Sequence, residues 1–196
     1  MILSEIVELS AGYPFRGKIP ETSNSNIYCI QMKDVAENGE INWSHFSEVH
    51  LTGKKAPNFL QKDDILISAR GKHFTVSFFK QTPEQQLVCA PYFYILRLKP
   101  IYQSVILPAF LAWQLKQLPA QDYFIQHAEG SITKSIRRKT LELTPCFITS
   151  KHHQASILAL DKKIEEEQQT YRELIDNSKQ IMHQIAFDLL NDSTLL

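Results

Sequence analysis

Residues 152–191 have the sequence HHQASILALDKKIEEEQQTYRELIDNSKQIMHQIAFDLLN, which contains no Gly or Pro. Apolar side chains recur in it at alternating intervals of three and four residues, the heptad pattern of a coiled coil. One core position of the heptad holds Ile157, Ile164, Tyr171, Ser178 and Ile185, and the other holds Leu160, Glu167, Leu174, Ile181 and Asp188. The pattern predicts one helix of about 40 residues, on the order of 60 Å long.

These core positions form a seam that the preceding 150 residues are too few to cover along its whole length, so the helix needs a second helix as partner. We therefore predict dimerisation through Ile157, Leu160, Ile164, Tyr171, Leu174, Ile181 and Ile185. The polar seam residues Glu167, Ser178 and Asp188 make the pairing imperfect, and such positions can set register or orientation. The alternative is one long helix folded back over its own domain.

Composition places the chain among ordinary globular proteins. It has 196 residues, of which 43% are hydrophobic and 21% charged, and this balance excludes intrinsic disorder. Its 21 Lys and Arg equal its 21 Asp and Glu, yet residues 1–150 carry a net charge of +3 and residues 151–196 a net charge of −3. The sequence thus predicts a modestly basic domain followed by an acidic helical segment.

Three features indicate a cytoplasmic protein without a membrane span. The longest stretch without a charged residue, Pro100–Leu115, has 16 residues and is too short and too polar to cross a bilayer. The first residues, MILSEIVELS, carry carboxylates where a signal peptide would carry basic residues. The isolated cysteines Cys29, Cys89 and Cys146 have apolar neighbours, which predicts buried thiols in a reducing compartment.

Residues 1–150 predict a mixed, β-rich domain with short helices, so the whole chain is assigned to the α+β class. The predicted strands, identified by alternating or β-branched apolar residues between turn signals, are Ile27–Met32, Ile65–Ile67, Lys72–Phe79 and Tyr92–Lys99. Strands at this spacing favour a curled sheet or a small barrel. One helix is predicted to begin at Pro108 and reach Leu118, and a second to cover Ala120–His127.

The sequence contains no catalytic, metal or cofactor motif, which predicts a binding protein and not an enzyme. The adjacent His152 and His153 point in different directions on a helix, so they cannot chelate one metal ion. We interpret the acidic pair Asp63-Asp64 as a turn before a strand. The aromatic residues, Trp43 and Trp113 included, are expected in the core.

Basic residues suited to phosphate contacts form two groups. The first group is Arg70, Lys72 and His73 around Gly71, and the second is Lys134, Arg137, Arg138 and Lys139 after Gly130-Ser131. Lys54 and Lys55 beside Gly53 form a weaker third group. The alternative for each group is an ordinary solvated surface.

A series of short motifs resembles the specificity (S) subunit of type I restriction–modification systems. The motifs are AGYPFRGKI (residues 11–19), IQMKD (30–34), GEI (39–41), LQKDDILISARG (60–71), APYF (90–93) and LPAFLAW (107–113). A segment over residues 130–141, a Pro and the long helix complete the arrangement. Pro145-Cys146-Phe147 and His152-His153-Gln154 depart from the family, which has a Pro-rich turn and Glu-Glu-Gln there.

The resemblance implies a target-recognition domain over residues 1–150 and a spacer helix over residues 151–196. An S subunit of this family has two such domains and two long helices that pair antiparallel, whereas this chain has room for one of each. The chain would therefore be a half-size S subunit that forms a homodimer and reads a bipartite inverted repeat in double-stranded DNA. The implied protein partners are DNA methyltransferase (M) subunits and, further, the restriction (R) subunit; they would carry the catalysis, and no cofactor is implied for this chain.

The residues that we assign to DNA contact are Arg70, Lys72, His73, Lys134, Arg137 and Arg138, with Arg16 and Lys18 as further candidates. Polar side chains would read bases in the major groove while Lys and Arg hold phosphates. Two other functions stay open at this point. One is a non-DNA adaptor with a β-rich binding domain and a coiled-coil dimerisation arm, and the other is a fragment of a fused restriction–methylation enzyme whose catalytic part lies elsewhere.

Overall fold

The structure, a computed structural model, describes residues 1–44, 46–71, 73–131 and 133–192, with Asp192 described only in its backbone. Mixed sheets, short helices and one long C-terminal helix confirm the predicted α+β class. The strands are β1 (Val7–Ala11), β2 (Ile27–Ile30), β3 (Ser47–Glu48), β4 (Ile65–Ser68), β5 (Arg70–Gly71), β6 (Val76–Phe78), β7 (Gln86–Cys89), β8 (Phe93–Leu98) and β9 (Lys134–Ser135). The helices are α1 (Leu3–Ile6), α2 (Pro108–Lys116), α3 (Leu118–His127), α4 (Arg138–Glu142) and α5 (Lys151–Asp192). The chain divides into two compact units, Met1–Gln154 and the residues from Ala155 onward.

The largest sheet has four antiparallel strands in the order β1-β8-β4-β6. All four residues of the interior strand β4 are buried, as its continuous apolar run suggests. Because successive side chains point to opposite faces of a strand, Ile65 and Ile67 belong to one hydrophobic cluster and Leu66 to another. The sheet therefore separates two cores.

Short helices pack on one face of the four-stranded sheet. Pro108 begins α2, a position where its missing N–H group costs no hydrogen bond. Phe74 and Phe124 meet edge-to-face, with ring centroids 6.0 Å apart. The helices contribute Leu3, Leu111, Leu115, Phe124 and Leu141 to the cluster that also holds Ile65 and Ile67.

A three-stranded sheet in the order β3-β2-β7 borders the second cluster. In it, β2 runs parallel to β7 and antiparallel to β3. Although β7 directly precedes β8 in the chain, it lies in a different sheet because it pairs with the distant strand β2. The predicted curled sheet or small barrel is therefore wrong: the described strands form three separate sheets, the third being β5 with β9.

The three cysteines are buried free thiols, as predicted. Loss of hydration raises the pKa of Cys29 to about 12 and the pKa of Cys146 to about 11, so both thiols are protonated at neutral pH. The expectation of core tryptophans is wrong for Trp43, which is 42% exposed while its ring meets Phe79 edge-on. Trp113 is half-buried. These rings cover the rim of the core.

A buried ion pair fixes the turn that precedes β4. Asp63 adopts the left-handed conformation with a φ of +69°, so the predicted turn is present. Asp64 is fully buried, and its two carboxylate oxygens accept hydrogen bonds from Nε and Nη2 of Arg97, each at 2.7 Å. The backbone N–H of Gln61 also donates to Asp64, at 2.8 Å. The carboxylate thus joins the turn to β8.

The first turn of α5 belongs to the unit Met1–Gln154 and is held there by one amide. The side chain of Gln154 is fully buried. It accepts a hydrogen bond from the N–H of Leu107 at 2.8 Å and donates to the carbonyl oxygens of Val105 and Thr149 at 2.9 and 2.7 Å. The start of α5 is therefore anchored to the segment that precedes α2.

From Ala155 onward the chain is helical through Asp192, as the heptad pattern predicts. Six seam residues are 43–62% exposed, namely Leu160, Ile164, Tyr171, Leu174, Ile181 and Ile185. Ile157 is half-buried. Most of the seam is thus exposed in a single chain. Within the described ranges, no helix is both long enough and apolar enough to cross a membrane.

Candidate nucleic-acid interface

Two basic segments that lie far apart in the sequence meet in a short antiparallel ribbon. β5 pairs with β9, which places Arg70 and Lys134 on neighbouring strands. Arg137 and Arg138 directly follow β9, and His73 follows β5. We call this surface the basic ribbon, and its members are Arg70, His73, Lys134, Arg137 and Arg138.

Backbone hydrogen bonds and one buried side chain hold the basic ribbon in place. The N–H of Ile136 donates to the carbonyl of Ala69 at 3.0 Å, and Ser135 and Glu129 exchange two N–H···O bonds at 2.8 and 2.9 Å. The chain turns at Gly130, with a φ of +103°, where a Cβ would overlap neighbouring backbone. Ile136 is buried, so β9 is anchored in the core while its basic neighbours face solvent.

Two arginines of the basic ribbon have a carboxylate partner. Arg137 Nη2 lies 2.6 Å from Glu129 Oε2, and Arg138 Nε lies 2.7 Å from Glu142 Oε1. Both arginine side chains are more than half exposed. Because ion pairs in such exposed positions contribute about 0–1 kcal/mol, a phosphate oxygen can replace the carboxylate at small cost.

The other described members of the basic ribbon have no carboxylate partner among the described residues. The Arg70 guanidinium carbon lies 5.6 Å from the ring centroid of Tyr92, a residue that is 48% exposed. Lys134 is half-buried, and its Nζ donates to the carbonyl of Ile125 at 3.4 Å. The charges of Arg70 on β5 and Lys134 on β9 are therefore available to bind an anion.

The structure places five of the six residues assigned to DNA contact on the basic ribbon, and the sixth, Lys72, lies outside the described residues. Arg16 and Lys18, and the third group of Lys54 and Lys55, are exposed on other loops. Three neighbours of the basic ribbon were not predicted from the sequence.

Those missed neighbours are Tyr92, Glu129 and Glu142. Glu142 has a signal that sequence reasoning could have found, because it stands four residues after Arg138, the spacing of helical ion pairs. Tyr92 and Glu129 have none, because strand pairing alone brings them to the arginines.

A cavity of about 580 Å³ lies beside α2 and α3. It is lined by Trp113, Tyr123, Cys146 and Phe147 among others, and by no acidic or basic side chain. Burial keeps the Cys146 thiol protonated, since its pKa is about 11. In the part of the chain that the structure describes, no three His, Cys, Asp or Glu side chains are grouped to hold a metal ion. The cavity therefore lacks an acid–base pair.

Solved structures with a similar fold include subunits of type I restriction–modification systems. The type I restriction–modification S subunit from M. genitalium superposes with a TM-score of 0.56 at 16% identity, covering 85% of this chain and 38% of that one. The HsdS subunit from Thermoanaerobacter tengcongensis gives a TM-score of 0.57 at 16% identity, covering 85% of this chain and 36% of that one. This chain has the fold of a type I S subunit.

A further structure with this S-subunit fold comes from work on complex assembly and conformational transition of a type I restriction–modification system. Its TM-score is 0.60 at 14% identity, and the match covers 85% of this chain and 37% of that one. The chain thus spans less than two fifths of the length of the S-subunit chains that it matches. No protein-family model and no curated protein sequence matches it.

Proposed function

We propose that this chain is a half-size specificity subunit of a type I restriction–modification system, which recognises a DNA sequence and catalyses no reaction itself. The pairing of β5 with β9 is the observation that carries the proposal, because it brings Arg70 and Lys134 onto neighbouring strands of an S-subunit fold. Cationic side chains of this kind position a protein on phosphates while polar side chains read base edges. The residues proposed for DNA contact are Arg70, Lys72, His73, Lys134, Arg137 and Arg138.

Two copies of the chain would supply what one lacks. The chain covers 36–38% of the solved chains that it matches, and its single long helix leaves an apolar seam exposed. A homodimer joined through Ile157, Leu160, Ile164, Tyr171, Leu174, Ile181 and Ile185 would hold two identical reading domains at a fixed distance. Identical domains related by a twofold axis read identical half-sites, so the target is an inverted repeat with a non-specific gap.

The polar seam residues favour an antiparallel helix pair. In a parallel pair each seam residue faces its own copy, so Glu167 faces Glu167 and Asp188 faces Asp188, which brings like charges together. An antiparallel register offers the layers Ile157–Asp188, Ile164–Ile181, Tyr171–Leu174, Ser178–Glu167 and Ile185–Leu160. In this register Glu167 meets a hydroxyl, and Asp188 lies in an outermost layer where its carboxylate reaches water.

Disulfide cross-linking tests the orientation. Glu167→Cys and Ser178→Cys chains are prepared separately and mixed; because the native cysteines are buried, the introduced thiols are the reactive ones. The antiparallel register predicts a cross-link only in the mixture, since each position is offset from its own copy by 11 residues, about 16 Å along the helix. A cross-link in either chain alone would show a parallel pair instead.

Catalysis in the proposed complex lies in other chains. Methyltransferase (M) subunits are the proposed partners that modify the recognised DNA, and the restriction (R) subunit is a further one, all in the cytoplasm. The net charge of +3 on residues 1–150 gives modest attraction to a duplex. Tighter binding then draws on the basic surface of the M subunit, because phosphate contacts supply much of protein–DNA affinity.

Selection of bound duplexes from a random pool, with and without the M subunit, tests the function. We expect enrichment of one inverted repeat with a constant gap. Light scattering on the same sample should give twice the chain mass of 22.6 kDa. A pool without any enriched sequence would contradict the proposal and favour the adaptor function, and enrichment of a single half-site by a monomer would contradict the dimer.

A further inference from the structure

Two loops outside the basic ribbon carry four cations without partners. Arg16 and Lys18 lie on the first loop, Lys54 and Lys55 on the second, and all four residues are exposed. None of them takes part in an ion pair found among the described residues. We call residues 14–19 and 53–56 the paired loops.

Hydrogen bonds tie both ends of the first loop to residues 50–53, the segment that leads into the second loop. At one end the hydroxyl of Tyr13 accepts from the N–H of Gly53 at 2.8 Å and donates to its carbonyl at 3.0 Å. At the other end the N–H of His50 donates to the carbonyl of Pro20 at 3.1 Å. Tyr13 is buried, so the junction is part of the fold. The two loops that carry the four cations are therefore neighbours in the fold.

The segments that contain the paired loops lack carboxylates. Residues 9–20 and 49–62 contain no Asp or Glu. Two of the carboxylates that flank these stretches have other partners: Glu21, after the first stretch, accepts from the hydroxyl of Ser47 at 3.0 Å, and Glu48, before the second, accepts from the N–H of Asn26 at 2.8 Å. Among the described residues, no carboxylate forms an ion pair with the four cations of the paired loops, unlike Arg137 of the basic ribbon with its Glu129 partner.

The connection between β7 and β8 lies between the paired loops and the basic ribbon. On one side the N–H of Gly12 donates to the carbonyl of Phe93 at 2.9 Å, and the N–H of Tyr13 donates to that of Cys89 at 2.8 Å. On the other side the N–H of Ala69 donates to the carbonyl of Tyr92 at 2.6 Å. Because β8 lies between β1 and β4 in the sheet, the C-terminal ends of β1 and β4 are two strand spacings apart, about 10 Å.

We propose that the paired loops bind the phosphate backbone of duplex DNA, so that they and the basic ribbon hold the two phosphate strands that border one groove. The strands that lead into the first of the paired loops and into the basic ribbon, β1 and β4, end about 10 Å apart, which is of the same order as the major-groove width of about 12 Å. The inference rests on the proposed function for its ligand. It adds Arg16, Lys18, Lys54 and Lys55 as sequence-independent contacts, which position the domain without reading bases.

Salt-dependent binding of the full chain to two duplexes, one with the selected repeat and one scrambled, tests the inference. The variant combines Arg16→Gln, Lys18→Gln, Lys54→Gln and Lys55→Gln. The slope of log affinity against log salt is negative, and each lost phosphate contact reduces its magnitude by about 0.9. We therefore expect the magnitude to decrease by up to about 3.6 per domain. Affinity should fall by the same factor for both duplexes, which leaves the preference for the repeat unchanged.

A matched control removes two other exposed lysines, Lys62→Gln and Lys80→Gln, at the opposite end of the four-stranded sheet. We expect this control to keep the slope of the unsubstituted chain, whereas Lys54→Gln with Lys55→Gln lowers it by about 1.8. Tyr13→Phe, which keeps all charges but removes the hydroxyl junction, should lower affinity less than the fourfold variant does. Circular dichroism verifies that each variant is folded.

The outcomes separate this inference from the proposed function. If the fourfold variant keeps the affinity and the slope of the Lys62→Gln, Lys80→Gln control while the unsubstituted chain prefers the repeat, the paired loops do not contact DNA and only the inference is overturned. If the fourfold variant loses affinity but no duplex is preferred by the unsubstituted chain, the inference stands and sequence recognition fails. If the unsubstituted chain binds no duplex, both are wrong.

Discussion

Apolar side chains differ in burial between the unit Met1–Gln154 and the helix beyond it. In the unit, Leu66 and Phe124 are fully buried, whereas Leu174 and Leu190 of the helix are 56% and 69% exposed. Burial of a side chain of this size stabilises a protein by about 1.5–3 kcal/mol. The unit therefore contains the contacts that fold it, while most apolar side chains of the helix remain exposed. Substitutions in the two regions should accordingly change different quantities.

The largest expected effect is on association. Ile164→Asp combined with Leu174→Asp removes four apolar side chains from the core of the proposed dimer and introduces four charges. We expect the free energy of dimerisation to fall by about 6 kcal/mol or more, over 10⁴-fold in the dissociation constant. Sedimentation velocity should then show a monomer at micromolar concentration.

The control for this variant carries the same new residues outside the seam, as Gln169→Asp with Gln180→Asp. It should remain dimeric. The unfolding of residues 1–154 should be unchanged in both variants, because the substitutions lie outside that unit. Fluorescence of Trp43 and Trp113, which both lie in the unit, measures this unfolding. Dimers that survive the seam substitutions would show that the interface lies elsewhere.

The second effect is on the stability of the globular unit. Arg97→Met leaves the carboxylate of Asp64 fully buried without its bidentate partner. Loss of one partner of a buried ion pair costs about 3–5 kcal/mol. Urea unfolding followed by tryptophan fluorescence measures this loss. A change below about 1 kcal/mol would mean that the pair contributes no more than a surface contact.

A third, smaller effect separates the two regions by thiol reactivity. Burial raises the pKa of Cys146 from 9.0 to about 11, so its thiolate is about 100-fold scarcer at a given pH. Ser178→Cys introduces a thiol on the exposed helix. In native buffer, iodoacetamide should modify residue 178 of the monomeric Asp variant first and the native cysteines at least about 100-fold more slowly. Equal rates, followed by mass spectrometry, would show that the unit opens readily.

The smallest effect is expected at a surface ion pair that matches the buried one. Arg138→Met removes the partner of Glu142, but the Arg138 side chain is 57% exposed. Such pairs contribute about 0–1 kcal/mol, so urea unfolding should shift by less than 1 kcal/mol. A loss of unfolding free energy as large as that of Arg97→Met would show that the exposed pair contributes as much as the buried one, which would contradict the prediction.

Local patterns predicted the elements whose own residues determine them. The heptad predicted α5, the Pro and spaced apolar residues predicted α2 and α3, an apolar run between turn signals predicted β4, and alternation predicted the strands now seen as β6 and β8. Sheet membership could not be predicted in this way, because β2 pairs with β7 across a long sequence separation and leaves no local signal. The same limit explains Asp64, whose partner Arg97 lies 33 residues further along the chain.

The candidate site shows the same division. Charge and neighbouring glycines identified both segments of the basic ribbon, yet only the pairing of β5 with β9 shows that they form one surface. From the sequence alone, Lys54 and Lys55 beside Gly53 are a third and weaker candidate group. Their link to Arg16 and Lys18 runs through a buried tyrosine hydroxyl and a glycine backbone, which no spacing rule contains.

Gly12 has a consequence for genetics. A Cβ at this position would overlap the carbonyl oxygen of Ala90, in the connection that both groups of cations border. An alanine there shifts shared backbone and changes the distance between two sets of charges without altering any of them. A screen for mutants that no longer retain DNA should therefore recover a small, uncharged, buried position together with the arginines and lysines.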